Sequence, residues 1–196
     1  MVPRPAIPVV MLRGERIGLR ARVEADVPVL RAELYDDVTT TNRAYPHPWR
    51  PISPAPDAPY GVVAPSDTRH PFSIVALETD ELLGHASVWG IDVAHRLGHL
   101  GIGLLPTARG RGFAGDVIRT LCYYGFVVQG LHRLQVDTLA DNEPMIRTAV
   151  RCGFVHEGRT RASAWFEGRF IDEVIMGLLD SEWRAARGDE KPLAPE

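Results

Sequence analysis

The stretch Arg109-Gly110-Arg111-Gly112-Phe113-Ala114-Gly115 lies between a strand-like run, His99 to Leu105, and an apolar-periodic run from Phe113 to about Val128. Glycines let backbone N–H groups turn inward and approach a phosphate closely. The helix that starts near Phe113 adds its positive N-terminal end, and Arg109 and Arg111 neutralise remaining charge. This is the chemistry of a pyrophosphate cradle. Read literally, Gly110 to Gly115 is also G-x-G-x-x-G, so a dinucleotide fold competes. Asp137, 22 residues beyond Gly115, stands where that fold keeps its ribose-binding acid. Two features count against it. Pro106-Thr107-Ala108-Arg109 separates the strand from the first glycine, and the upstream half is hairpin-like, not βαβ. A P-loop is excluded, because no Gly-Lys-Ser/Thr follows. A loop that merely opens a helix is the remaining reading.

Working outward, Arg16 to Ala21 alternates like a half-exposed strand. A helix follows, with Asp26 as N-cap, Pro28 in its first turn and Val27, Leu30 and Leu34 on one face. Residues 37 to about 70 hold eight prolines between Pro46 and Pro71, interleaved with Tyr45, Trp49 and Tyr60. A loop that long is either a surface loop with aromatic anchors or a wall over a binding site. Phe72 to Leu77 and Leu82 to Val88 read as a hairpin. Downstream come a strand over Leu134 to Leu139 and a helix over Glu143 to Arg151, with Asn142 as N-cap and Gly153 as its stop. A closing hairpin, Phe154 to Trp165 and Phe170 to Leu179, turns at Glu167-Gly168. The tail after Trp183 reads as polar and frayed. The pattern predicts one α+β domain with a mostly antiparallel sheet, its core over about residues 12–183.

The composition excludes some classes. With 196 residues the chain suits one domain, and a net charge of −3 lacks the basic surplus of a nucleic-acid binder. No apolar run approaches a membrane span. Pro3, Pro5 and Pro8 break the apolar N-terminus, so no signal peptide is read. Two cysteines, Cys122 and Cys152, suggest free thiols in a reducing cytoplasm. Of 22 basic residues only Lys191 is lysine, which points to a GC-rich bacterial genome and not to a function.

The chain resembles the GNAT N-acetyltransferase superfamily, in its RimJ/RimL-like branch, from Leu12 to about Trp183. Arg109-x-x-Gly112-x-Ala114 matches the acetyl-CoA motif. Asp141-Asn142-Glu143-Pro144 with Cys152-Gly153-Phe154 matches the Asn…Gly-Phe segment. Glu157-Gly158, Trp165, Gly168 and Asp172 resemble the closing hairpin of the branch. The resemblance implies a GNAT fold in which the strand Leu100–Leu105 splays from the strand Leu134–Leu139. Acetyl-CoA would enter that gap as cosubstrate. Its pantetheine would pair with Ile102, Gly103 and Leu104, its pyrophosphate would sit on Arg109, Gly110, Arg111, Gly112, Phe113 and Ala114, and Asn142 would touch the arm. The Leu104 N–H would serve the oxyanion. The acceptor, a primary amine on a small molecule or a protein N-terminus, is expected near Trp49, Trp89 and Trp165. No metal is implied, and members of the branch often form homodimers.

The acid and base positions depart from the family. Met145 and Ala149 stand where a Tyr or Ser often protonates the leaving thiolate, and Thr148 is a weak substitute. Ala164 replaces a strand Glu, and His99 replaces the common Glu of the central strand. His99 is the candidate base, since an imidazole suits that role at neutral pH, or else a histidine packed beside the sheet. His85 and Asp92 could act through water. Cys152 has no evident base partner. His95 and His99 do not converge as metal ligands would. A poor base favours an acceptor of low pKa. An α-amine near 8 is roughly 10% neutral at pH 7 and a lysine below ~0.1%, a gap of about 3 kcal/mol. A non-catalytic acyl-CoA-binding module and a nicotinamide-dependent oxidoreductase are the alternatives.

Overall fold

The computed structural model describes residues 9–44, 49–53, 58–64 and 66–187. The chain runs β1 (Leu12–Arg13), β2 (Ile17–Arg20), α1 (Val27–Leu34), α2 (Val38–Ala44), β3 (Arg69–Ala76), β4 (Leu82–Asp92), β5 (Leu97–Leu104), α3 (Phe113–Tyr123), β6 (Arg133–Leu139), α4 (Glu143–Arg151), β7 (Val155–Phe166), β8 (Arg169–Leu179) and α5 (Asp180–Arg187). One sheet holds all strands in the order β1-β2-β3-β4-β5-β6-β8-β7. Only β5 and β6 are parallel neighbours. A doubly wound dinucleotide fold needs a parallel sheet, so that reading falls.

Side chains alternate across a sheet, so each strand serves two layers. Ala86, Val88, Leu100, Leu134, Met176 and Leu178 are buried with Val117, Ile118 and Leu121 of α3. On the other face α1 lays Leu34 against Gly103, where an added Cβ would stand 3.3 Å from the Leu34 side chain.

Four elements differ from the sequence reading. Asp26 makes no cap hydrogen bond. Its carboxylate instead takes both Arg20 Nη atoms at 2.7 and 2.8 Å and Ser73 Oγ at 2.7 Å, because Arg20 is buried and needs a counter-charge. α2 forms inside the stretch expected to be loop, with Asp37 accepting from the N–H groups of Thr39 and Thr40. The helix α3 stops at Tyr123 and widens into a π-turn over Tyr124–Val128. Gly125 packs there on Leu134, whose side chain would stand 3.0 Å from an added Cβ. Lastly, the expected fray after Trp183 is helical to Arg187. Trp183 is buried against Phe126, and Arg187 lies over its ring. Residues 188–196 fall outside the described ones.

Candidate active site

β5 and β6 pair only at Leu97↔Arg133, Gly98↔Leu134 and His99↔Gln135, and then part. Each keeps its outer partner well past that point. β4 accompanies β5 to Leu104, and β8 accompanies β6 to Leu139. The gap is therefore a wedge of unpaired strand edge inside a continuous sheet. Its β5 lip follows from the ladder. The Leu105 N–H donates to Leu83 O at 2.9 Å, and every second residue of an antiparallel strand faces the same neighbour. Gly101 and Gly103 thus bond toward β4, while Leu100, Ile102 and Leu104 turn their N–H and C=O into the gap. A Cβ on Gly84 would strike the Gly103 carbonyl, as that orientation requires. This corrects one expectation: Ile102 and Leu104 can offer backbone groups to an extended ligand, but Gly103 cannot.

The loop beyond the gap is built on two left-handed glycines, Gly110 at φ 72° and Gly112 at φ 82°, the latter capping α3. Phe113 is buried beneath Arg16 and Arg111, whose guanidinium carbons lie 4.6 and 4.9 Å from its ring, so only its backbone can face a ligand. Arg109 Nε donates to Leu104 O at 3.0 Å, tying the loop to the lip. Arg111 lies 3.6 Å from Glu81. Asp116 holds α3 to the β1–β2 turn. Its carboxylate accepts from the N–H groups of Glu15 (3.0 Å), Arg16 (2.7 Å) and Ile17 (3.1 Å). Ala114 lies partly buried in the first turn of α3. Asn142 caps α4 through Met145 N at 3.4 Å and donates to Thr138 Oγ1 at 2.9 Å.

His99 sits where the two strands part. Its Nδ1 lies 2.7 Å from Asp137 Oδ2, and its ring stacks on Trp89 at 4.6 Å. Gln135 donates to the other Asp137 oxygen at 2.7 Å, and Arg133 donates to Gln135 at 3.2 Å and pairs with Glu157. Burial raises the Asp137 carboxyl, but the bonds from His99 and Gln135 outweigh it and hold the group below the usual carboxylate range. The charged Asp137 fixes the proton on His99 Nδ1 and leaves Nε2 as the acceptor. A rise of about 3.3 Å per residue places His99 roughly 16 Å along β5 from Leu104, out of direct reach of a group bound there. Asp137 escaped the sequence reading as a partner for His99, since the pair is 38 residues apart and only strand register unites it.

A second histidine stands closer to the lip. His85 is opposite Gly103 and buried, and its Nδ1 lies 2.6 Å from Arg22 Nη2. An arginine only donates, so Nδ1 accepts and the proton is on Nε2. Burial, then the Arg22 and Arg69 cations, hold the imidazole well below its ordinary pKa. His85 is therefore neutral, with its lone pair engaged, and cannot serve as the base. Asp92 is likewise engaged, bonded to His95 Nδ1 at 2.8 Å and to its N–H at 2.9 Å.

The three tryptophans do not converge. Trp89 pairs with His99 across the ladder, whereas Trp165 faces Phe170 near the β7–β8 turn, 62% and 60% exposed as a pair of rings 4.9 Å apart for Phe170 and Trp165 respectively. Gly177 is level with His99 through Gln135, and Phe170 lies about 23 Å further along β8. Trp49 is half-buried, with its indole N–H lacking a partner. A polar cleft of about 320 Å³ opens beyond the wide end of the gap, lined by Ala140, Asp141, Arg159, Arg169, Ile171 and Asp172.

The α4 face carries no proton donor for a leaving group. Ala149 is fully buried, and Thr148 Oγ1 is spent on Pro144 O at 2.7 Å. Burial raises the Cys152 thiol, which suits a packed thiol better than a nucleophile. Among the described residues, no group of three or more His, Cys, Asp or Glu converges as metal ligands.

Residues 16–155 match the model of the acetyltransferase (GNAT) domain. The uncharacterized N-acetyltransferase p20 of Bacillus licheniformis is 29% identical over 174 residues, covering 88% of this chain and 97% of that protein. A spermidine N(1)-acetyltransferase of Vibrio cholerae is 28% identical over 102 residues, 52% of this chain and 59% of that one. The crystal structure of spermidine N-acetyltransferase from Vibrio cholerae, in complex with CoA and spermine, superposes with a TM-score of 0.72 at 20% identity, covering 86% of this chain and 98% of that one. At that identity the likeness concerns the fold.

Proposed function

This chain belongs to the GNAT acetyltransferase family, and from that premise we propose that it is an N-acetyltransferase that moves an acetyl group from acetyl-CoA to a primary amine of a small molecule. The observation that carries the reading is the parting of β5 and β6 after three pairs, directly before the loop of Gly110 and Gly112. The lip of Ile102 and Leu104 would bond the pantetheine arm as a strand bonds a neighbour. The loop amides and the α3 N-terminus would take the pyrophosphate. Acetyl-CoA supplies the activated acyl group.

The remaining chemistry falls to the chain's own groups. The acceptor nitrogen must lose a proton as it bonds to the acyl carbon and the C–S bond breaks. His99 Nε2, oriented by Asp137, receives that proton through water. The Leu104 N–H faces the gap and would stabilise charge growing on the acyl oxygen. No α4 side chain donates to sulfur, so water protonates the thiolate, a fair leaving group with a pKa of about 8.5.

We place the chain in the RimJ/RimL-like branch on its closing hairpin, where Asp172 accepts from the Ala162 N–H at 2.8 Å and from Arg159 at 2.7 Å. A cytoplasmic setting fits the free thiols of Cys122 and Cys152. The test is thiol release from acetyl-CoA across a panel of primary amines, with acetyl-CoA binding measured separately by calorimetry. Tight binding without release for any amine would leave a non-catalytic acyl-CoA-binding module.

A further inference from the structure

Two arginines are buried against the sheet face that α1 covers, and they are treated differently. Arg20 has the Asp26 carboxylate at 2.7 Å. Arg22 is 8% exposed and has no carboxylate within ion-pair reach among the described residues. Its bonds to Gly61 O and Phe72 O are long, at 3.5 and 3.4 Å, and its Nε, like that of Arg20, has no partner. The Tyr60 ring lies 5.7 Å from it. Asp26 favours the Arg22 cation only from outside ion-pair reach. Asp26 is engaged by Arg20 and Ser73, and Arg69 adds a like charge. Burial lowers Arg22 only to about 10, so it is a cation at neutral pH. A buried cation without a counter-ion is costly unless something supplies one.

Its location says what that something is. Arg22 is bonded to His85, and His85 stands opposite Gly103, between the two lip residues Ile102 and Leu104. The unmatched charge therefore sits one strand from the acyl-transfer point. We propose that Arg22, held in place by His85, binds a carboxylate on the acceptor, so that the acceptor is an amine of the amino-acid class. A charge-assisted pair with a carboxylate would replace the two long carbonyl contacts. The same cation repels a polyamine, so the preferred acceptor differs in charge from spermidine. This rests on the acetyltransferase reading.

The experiment compares α-, β- and γ-amino acids with their own carboxamides as acceptors, together with spermidine. The α-carboxamides carry the less basic amine and are the better nucleophiles at pH 7, so they should win wherever the carboxylate is ignored. The expected result is at least a tenfold higher kcat/KM for one free amino-acid series than for its amides, with spermidine poorer than both. In R22Q the ratio of kcat/KM for the free amino acid to that for its amide should fall at least tenfold, through KM for the free acid, and in R22K it should fall less. Should R22Q fail to fold, R22K with the wild-type panel carries the test. Amides equal to or better than free acids, a preference for spermidine, or an equal loss on both acceptors in the variants would each overturn the proposal. Absence of thiol release with every amine would instead defeat the acetyltransferase reading.

Discussion

Asp116→Ala should both destabilise the protein and loosen the loop. The carboxylate is 4% exposed and accepts three backbone N–H groups from the β1–β2 turn. Glu15 and Arg16 are exposed, so water can replace the acceptor there, at about 1 kcal/mol each. Ile17 is fully buried, and its stranded N–H costs about 1–3 kcal/mol. The sum is roughly 3–5 kcal/mol, a large share of the 5–15 kcal/mol typical of a domain. Asp116→Asn keeps one acceptor oxygen but turns an N–H₂ toward other donors, so it should cost about 2 kcal/mol. Urea denaturation followed by tryptophan fluorescence reads both values at constant m. Arg16 also donates from Nη1 to Arg111 O at 3.1 Å, so the turn and the loop move together. Acetyl-CoA affinity should fall about tenfold in Asp116→Asn. A loss below about 1 kcal/mol for alanine would refute the hydrogen-bond accounting. Full stability loss with unchanged affinity would refute the coupling.

Gly112→Ala should cost about 1–2 kcal/mol and weaken acetyl-CoA binding in calorimetry. The cost is conformational, since an added Cβ would meet only Arg16 Nη1 at 3.8 Å while φ is 82°. His99→Gln and Asp137→Asn should lower kcat/KM about 10²-fold at neutral pH, recover part of the rate at high pH, and leave acetyl-CoA affinity unchanged. Equal pH–rate profiles for variant and wild type would dismiss His99 as the base. Folded His85 is neutral well below its ordinary pKa, whereas the unfolded side chain takes up a proton below about 6.5. The unfolded state then binds more protons, so stability should fall as the pH drops below 6.5, and His85→Gln should flatten that slope in urea midpoints. Across acceptors of similar charge and size, kcat/KM should fall as the amine pKa rises, and the absence of a trend would mean that a strong base operates.

Asp26 illustrates why a local signal misleads. It stands where a helix cap belongs, but buried Arg20 competes for the same carboxylate and wins. The π-turn after α3 and the helix α5 were hidden for a similar reason. Each depends on tertiary packing, of Gly125 on Leu134 and of Trp183 on Phe126.

The left-handed turn of Gly110 and Gly112 into α3 was legible in the sequence because its physics is local. Gly110 and Gly112 adopt left-handed backbone wherever they occur in such a turn, and a helix start brings its own dipole. The hairpins and the helix after Asn142 were legible by the same logic of short-range periodicity and caps. Tertiary structure alone decided which backbone groups face the gap, because ladder register turns Ile102 and Leu104 inward and Gly103 away. It also decided that His99 meets Asp137, and that Arg22 is buried outside ion-pair reach of a described carboxylate and bonded to His85, opposite Gly103. Pairings across dozens of residues are set by strand register and burial, which no spacing along the chain encodes.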